Sequence, residues 1–178
     1  MSPPARHRLV GFGVAALVLV ADQLVKWLMA GPLRLAEVEV IDIVSFFDLR
    51  WAQNYGVSFS LLSASSNESR WLLVGLTALI ATGVLVWMLR EKALAEVAAL
   101  GMVLGGALGN IWDRSRHGYV VDYADLHFGD FRPFQIFNLA DAAISIGVVI
   151  ILARSFLSRE KRGRNDADAQ SARAPSES

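Results

Sequence analysis

Four separate runs of about twenty apolar residues constrain this chain more than any other feature. A helix rises about 1.5 Å per residue, so about 20 apolar residues cross the roughly 30 Å hydrocarbon core of a bilayer. Residues 9–30 are apolar except for Asp22, Gln23 and Lys26. Residues 71–89 carry no charge and are bracketed by Arg70 and Arg90. Residues 93–112 contain only Glu96 and Asn110 as strongly polar groups, and residues 134–153 are interrupted by Gln135, Asn138 and Asp141. The chain is 54% hydrophobic and 19% charged, where soluble domains carry about 25% charged residues, and the excess is concentrated in these runs. The reading is a membrane α-helical protein with four spans. The first run follows Arg6 and Arg8 as a signal peptide would, but it is too long and has no convincing small-residue cleavage site.

Basic residues of short loops collect on the cytoplasmic side. Arg6 and Arg8, Arg90 and Lys92, and Arg154, Arg159, Lys161, Arg162 and Arg164 all fall on one side of a four-span arrangement. This side is read as cytoplasmic, with both termini there. The opposite side receives residues 31–70 and 113–133, and Trp27, Trp71 and Trp112 mark its boundary with lipid. Within 31–70, the stretch 38–51 alternates and is rich in Val, Ile and Phe. Asn54-Tyr55-Gly56 reads as a turn before a further strand over 57–62, giving a small outer β-sheet. Residues 1–157 are read as one membrane domain and the Arg-, Asp-, Ala- and Ser-rich residues 158–178 as a disordered cytoplasmic tail. Gly101, Gly105 and Gly109 recur every four residues and allow a neighbouring helix to approach closely; this is packing rather than chemistry.

Ionisable residues inside a membrane are costly and therefore mark candidate sites. Counting from the outer ends of the runs, Asp141 lies about 10 Å inward, Asp22 about 12 Å, and Asn110 only about 3 Å. The segment holding Asp122 can dip back beside Asp141, so two carboxylic acids meet in a half-buried cavity. Asp22 and Lys26 are four apart in the favourable order for an ion pair, which points first to a structural or substrate-positioning role. Asn54 and Gly56 either make a hairpin turn or line a ligand entrance. Arg114 either holds Asp113 or a lipid phosphate, or touches substrate. Asp125 and Asp130 read as solvated loop residues. His117 and His127 have no metal-ligand spacing, and the chain has no cysteine, so neither a metal nor a thiol nucleophile is expected.

No G-x-S-x-G, H-E-x-x-H, P-loop or G-x-G-D occurs, which removes serine hydrolase, zinc protease, nucleotide-driven and presenilin-type chemistry. A carboxylate pair remains. Two adjacent carboxyls share one proton, and such a pair can activate water with one member and protonate an amide with the other. Spacing alone leaves ion conduction or a noncatalytic membrane-assembly role open beside it.

D-Q-L-V-K from Asp22, N-Y-G-V-S-F-S from Asn54, G-G-A-L-G-N-I-W-D-R from Gly105, G-Y-V-V-D-Y from Gly118 and F-N-L-A-D-A-A-I from Phe137 together resemble the lipoprotein signal peptidase, or signal peptidase II, family. The resemblance covers about residues 9–155 in the family's order. It implies a bacterial inner-membrane aspartic endopeptidase that removes signal peptides from diacylglyceryl-modified prolipoproteins, cutting just before the lipidated cysteine. It implies Asp122 and Asp141 as the catalytic pair, with Asn54, Gly56, Asn110, Arg114, Asn138 and Ala140 lining the site and Asp22 and Lys26 as the family's first-span pair. It also implies an outer β-cradle resting on the membrane, a site near the outer face, no cofactor and no nucleic-acid partner. The chain is expected to act as a monomer in contact with membrane lipid, with its outer segment moving as a lid. Tyr123 stands where the family usually has Phe, a departure expected to leave the carboxylate unaffected.

Overall fold

The computed structural model describes residues 3–56 and 67–171. In chain order the elements are α1 (Pro3–Ala30), α2 (Leu35–Val38), β1 (Val40–Val44), β2 (Phe47–Asn54), α3 (Asn67–Arg90), α4 (Leu94–His117), β3 (Val120–Leu126) and α5 (Leu139–Ser171). Four helical stretches are long and apolar enough to cross a membrane: Ala5–Ala30, Asn67–Arg90, Leu94–His117 and Leu139–Leu157. Large apolar side chains such as Leu17, Leu79 and Val149 point outward on these helices. In water that would be a liability; in a bilayer it is the lipid-facing surface.

Helix α4 is the central post and packs against α1, α3 and α5. Its glycines make that possible. A Cβ at Gly101 would lie 2.5 Å from the Gly11 carbonyl oxygen of α1, and one at Gly106 would lie 2.5 Å from the Ala140 carbonyl oxygen of α5. The third glycine of the predicted stripe does more than pack: a Cβ at Gly109 would sit 2.6 Å from Asp22 Oδ2, so the missing side chain makes room for a buried carboxylate. Helix α4 ends at Gly118, whose φ of 88° favours glycine and whose N–H donates to the Arg114 carbonyl. From α3, Arg70 donates to the carbonyls of Arg114 and Ser115 and closes the same helix end.

The outer sheet has three antiparallel strands in the order β1-β2-β3. The strand-forming stretch read over 38–51 is divided by the structure into β1 and β2, with a hairpin turn at Ser45-Phe46, and β2 runs on to Asn54; the turn read at Asn54-Tyr55-Gly56 follows, its Gly56 N–H donating to Asn54 Oδ1. The strand expected over 57–62 lies outside the described residues. The third strand instead comes from residues 120–126, which return after α4 and pair with β2. A register irregularity between Leu49 and Ala52 sets Ala52 opposite Asp122 and Asn54 opposite Val120. Phe137 then bridges to Ala124, its N–H donating to the Ala124 carbonyl at 3.1 Å, and so anchors the chain just before α5 against β3.

Two boundaries differ from expectation. The fourth helix begins at Leu139, not Phe134, because residues before it are committed to the sheet bridge and follow Pro133. Its backbone also stays helical through residues 158–171, where irregular chain is expected: Arg, Lys, Glu and Ala are good helix formers, and extending an existing helix avoids nucleation.

Candidate functional site

The site is built on the first turn of α5. Asn138 caps the helix: its Oδ1 accepts from the Asp141 N–H at 2.9 Å, while Asp141 Oδ2 accepts from the Asn138 N–H at 3.2 Å. This reciprocal pair is a capping box, written here with Asn and Asp. The other two free N–H groups of the turn find partners from elsewhere in the chain. Leu139 donates to the Tyr123 hydroxyl of β3 at 3.1 Å, and Ala140 donates to Asp22 Oδ1 of α1 at 3.0 Å. Asp141 thus lies in the first turn of its helix, shallower than the depth expected from the sequence, and in the favourable field of the helix N-terminus.

The same Asn138 joins the two carboxyls. Its side-chain amide donates to Asp122 Oδ1 at 2.6 Å, while its backbone holds Asp141. Asn54, a diagonal neighbour across the β2–β3 pair, donates to Asp122 Oδ2 at 3.0 Å, and its own Oδ1 accepts from the Gly56 N–H at 2.9 Å. Gly56 has φ 85°, and a Cβ there would lie 2.5 Å from Leu73 Cδ1. On the other side, Asn110 donates to Asp141 Oδ1 at 2.8 Å. Among the described residues, every direct hydrogen-bond partner of the two carboxyls is therefore a neutral amide. Burial first, then the Asp141 charge, push the Asp122 carboxyl up to about 6 against the pull of its amide donors and Lys26.

A charged layer supports this amide layer. Lys26 Nζ lies 2.7 Å from Asp22 Oδ2 and 2.8 Å from Asp113 Oδ2, and donates to Asn110 Oδ1 at 3.3 Å. Asp22, Lys26 and Asp113 are all buried. Gln23 donates to Asp113 Oδ1 at 2.9 Å, and Asp113 Oδ2 accepts from the Val121 N–H of β3 at 3.3 Å. Breaking such a buried pair by removing one partner costs about 3–5 kcal/mol, so the layer fixes how α1, α4, β3 and α5 meet. The structural reading of Asp22 and Lys26 is the one the geometry favours.

A cleft of about 820 Å³ opens over Asp122, walled by the end of β2 from Ala52 to Gly56 and by residues 132–136. A second pocket of about 260 Å³, lined by Phe134, Phe137, Ala142 and Ile146, reaches Asp141. The carboxyl pair stands between this cleft and the mostly apolar pocket.

Of the residues singled out from sequence, Asp122, Asp141, Asn54, Gly56, Asn110, Asn138, Ala140, Asp22 and Lys26 join one network. Arg114 stands close enough to feel the charges of Asp141, Asp122 and Asp113, and its Nε is buried with no hydrogen-bond partner among the described residues. The reading of Asp125 as a solvated loop residue is wrong. It lies on β3, fully buried, with Arg50 and Arg132 donating to it. Sequence reasoning also missed Asp113, Gln23 and the Tyr123 hydroxyl. The Tyr-for-Phe departure was the signal for the last: it supplies an acceptor to a helix N-terminus beside the pair.

With this geometry in place, the comparisons with known proteins are specific. Residues 14–157 match the family described as signal peptidase (SPase) II. A lipoprotein signal peptidase of Rhizorhabdus wittichii is 58% identical over 156 residues, covering 88% of this chain and 91% of that protein. That of Sphingopyxis alaskensis is 50% identical, covering 92% and 95%. A solved structure titled as a bacterial membrane enzyme superposes with TM-score 0.72 at 24% identity, over 85% of this chain and 90% of that one. The four apolar helices and the family match together define a multi-pass membrane protease. More narrowly, the chain belongs to the signal peptidase II family and is a peptidase.

Proposed function

We propose that this peptidase removes signal peptides from diacylglyceryl-modified prolipoproteins, cutting just before the lipidated cysteine, with Asp122 and Asp141 as its catalytic pair. One observation carries the assignment: the amide of Asn138 holds both carboxyls, one by side chain and one by backbone, at the floor of a cleft. Asp122, raised to about 6, serves as the acid. Asp141, on the helix N-terminus, serves as the carboxylate that takes a proton from water. The hydroxide so formed attacks the carbonyl carbon of the residue before the cysteine while Asp122 gives its proton to the carbonyl oxygen. The tetrahedral gem-diol then breaks its C–N bond: the cysteine amine leaves with the proton from Asp141, and one hydroxyl returns a proton to Asp122 as the new carboxyl group forms, which restores the resting pair. No acyl-enzyme forms.

The layout suits a lipid-bearing substrate. A peptide fills the outer cleft above Asp122, and the apolar pocket beside Asp141 lets acyl chains stay on the lipid side. The clustering of basic residues supports an orientation in the inner membrane with both termini cytoplasmic and the site toward the outer face. On this reading the protein acts as a monomer surrounded by lipid. Asn54, Gly56, Asn110, Arg114 and Ala140 position the pair and the peptide.

The decisive experiment is cleavage of a diacylglyceryl-modified prolipoprotein peptide by the purified protein in detergent, beside Asp122→Asn, Asp141→Asn and an unlipidated peptide. Wild type alone should cut, and only before the lipidated cysteine. Equal behaviour of all three proteins, or a covalent acyl adduct trapped on either aspartate, overturns the mechanism.

A further inference from the structure

Arg132 is the one cation among the cleft-lining residues, and the way it is held leaves its hydrogen-bonding fork free. Its Nε lies 3.2 Å from each oxygen of the buried Asp125. Arg50 reaches the same carboxylate from β2, again through Nε, at 3.0 Å. Two guanidinium groups therefore share one carboxylate, while Asp48, set directly opposite Asp125 on β2, is met by His127. Arginine usually meets a carboxylate with two nitrogens side by side. Here the terminal nitrogens of both arginines have no hydrogen-bond partner among the described residues, and the side chains are 38% and 43% exposed for Arg50 and Arg132. Asp125 fixes the stem of Arg132, so the fork is presented at the cleft with part of its ordering cost already met.

The cleft needs such a group. Its lining includes the Asp122 carboxyl, with Asp141 in the adjoining pocket, and a shared negative charge there repels an acidic side chain brought near it. The inference rests on the proposed function: a signal peptide is built around an apolar run that belongs in the membrane, so the part of the substrate left to cross the polar-lined cleft is the mature segment just after the cut. We infer that Arg132 is a specificity-determining residue that receives a carboxylate side chain in that segment, with Asp125 and Arg50 setting its position. The chemistry recognised is an Asp or Glu side chain, bound by the two terminal nitrogens of Arg132 and shielded by them from Asp122.

The test uses the full-length protein in detergent and a matched set of diacylglyceryl-modified peptides differing only in one residue after the cysteine: Asp, Asn or Lys. The readout is the ratio of kcat/KM for the Asp and Lys peptides within each protein, so any general loss of activity or fold cancels. Wild type should prefer Asp over Lys about fivefold, as a partly exposed ion pair allows. Arg132→Glu should invert the ratio, and Arg132→Lys should keep its sign with a smaller value. The preference should shrink with added salt. A wild-type ratio near one, or a ratio unmoved by Arg132→Glu, overturns the inference while leaving the peptidase reading intact. No cleavage of any peptide by wild type instead removes the peptidase reading itself. A parallel series in nanodiscs distinguishes a lipid source of the anion. If anionic lipid speeds wild type but not Arg132→Glu, and the peptide ratio does not move, the fork holds a headgroup and the inference fails.

Discussion

Asp122 and Asp125 stand three residues apart on one strand, are both buried, and live in opposite electrical surroundings. Asp125 is met by two arginines; Asp122 is met by the amides of Asn54 and Asn138 and faces the charge of Asp141. The difference separates two ways of holding a carboxyl group. Guanidinium partners hold both its place and its charge, which suits a structural anchor. Neutral amides hold its place alone, so the group can gain and lose a proton without its surroundings collapsing. A general acid must be held in the second way. The charged residues that stiffen the site, Asp22, Lys26 and Asp113, are one layer removed and reach the pair through Asn110 and through the backbone N–H groups of Ala140 and Val121.

The largest test of that contrast is activity. Asp122→Asn and Asp141→Asn should each lower kcat by about 10³-fold or more, whereas Asp125→Asn should leave a Lys- or Asn-bearing lipopeptide cut within about tenfold of wild type. Equal losses at positions 122 and 125 in a cleavage assay would erase the distinction.

Stability should then move in opposite directions. The raised value of Asp122 means the folded protein binds its proton more tightly than the unfolded chain does. Stability therefore falls as pH rises from the ordinary carboxylate range through about 6. Asp122→Asn removes this cost, and thermal unfolding in detergent at pH 8 should show a gain of about 3 kcal/mol that vanishes near pH 4. Asp125→Asn leaves two arginines without their carboxylate and should lose about 1 kcal/mol, since both can turn to solvent.

A smaller effect sharpens the role of the amides. Gly56→Ala strains a left-handed backbone position and presses on Leu73, which loosens the Asn54 side chain that Gly56 steadies. The expected loss is about tenfold in kcat with little change in KM. Finest of all is the pH profile. If Asp122 acts as the acid, kcat/KM falls as pH rises through about 6. Because the Asn54 hydrogen bond lowers that value, Asn54→Ala should shift the fall to higher pH. A shift to lower pH would contradict the assigned role.

What could be read from the residues alone follows the range of the interactions. The spans were legible because a bilayer imposes its thickness on each helix separately. The acids were legible because an unexplained charge in an apolar run is conspicuous wherever its partner lies. Strand β3 was not, since Val120–Leu126 becomes a strand only by pairing with residues some seventy positions earlier. Asp125 was misread for the same reason: Arg50 is remote in sequence, and Arg132 approaches it only once the loop folds back. The start of α5 was misplaced because Phe134–Phe137 is as apolar as a span, while the sheet bridge and the Asn138 cap that exclude it from the helix are tertiary.

Helix α5 has its first N–H groups received by α1, by β3 and by its own cap, and this carries a consequence for biosynthesis. Ribosomes deliver the chain from one end, so Asp22, Asp113 and Asp122 emerge before Leu139 exists. Until the last span enters the bilayer, Asp122 has no second acid, Asp22 no helix end to receive, and the cleft lacks the residues that form its far wall. On the proposed assignment of Asp122 and Asp141, a half-made copy therefore holds only one acid of the pair, and competence arrives in one step with the final quarter of translation.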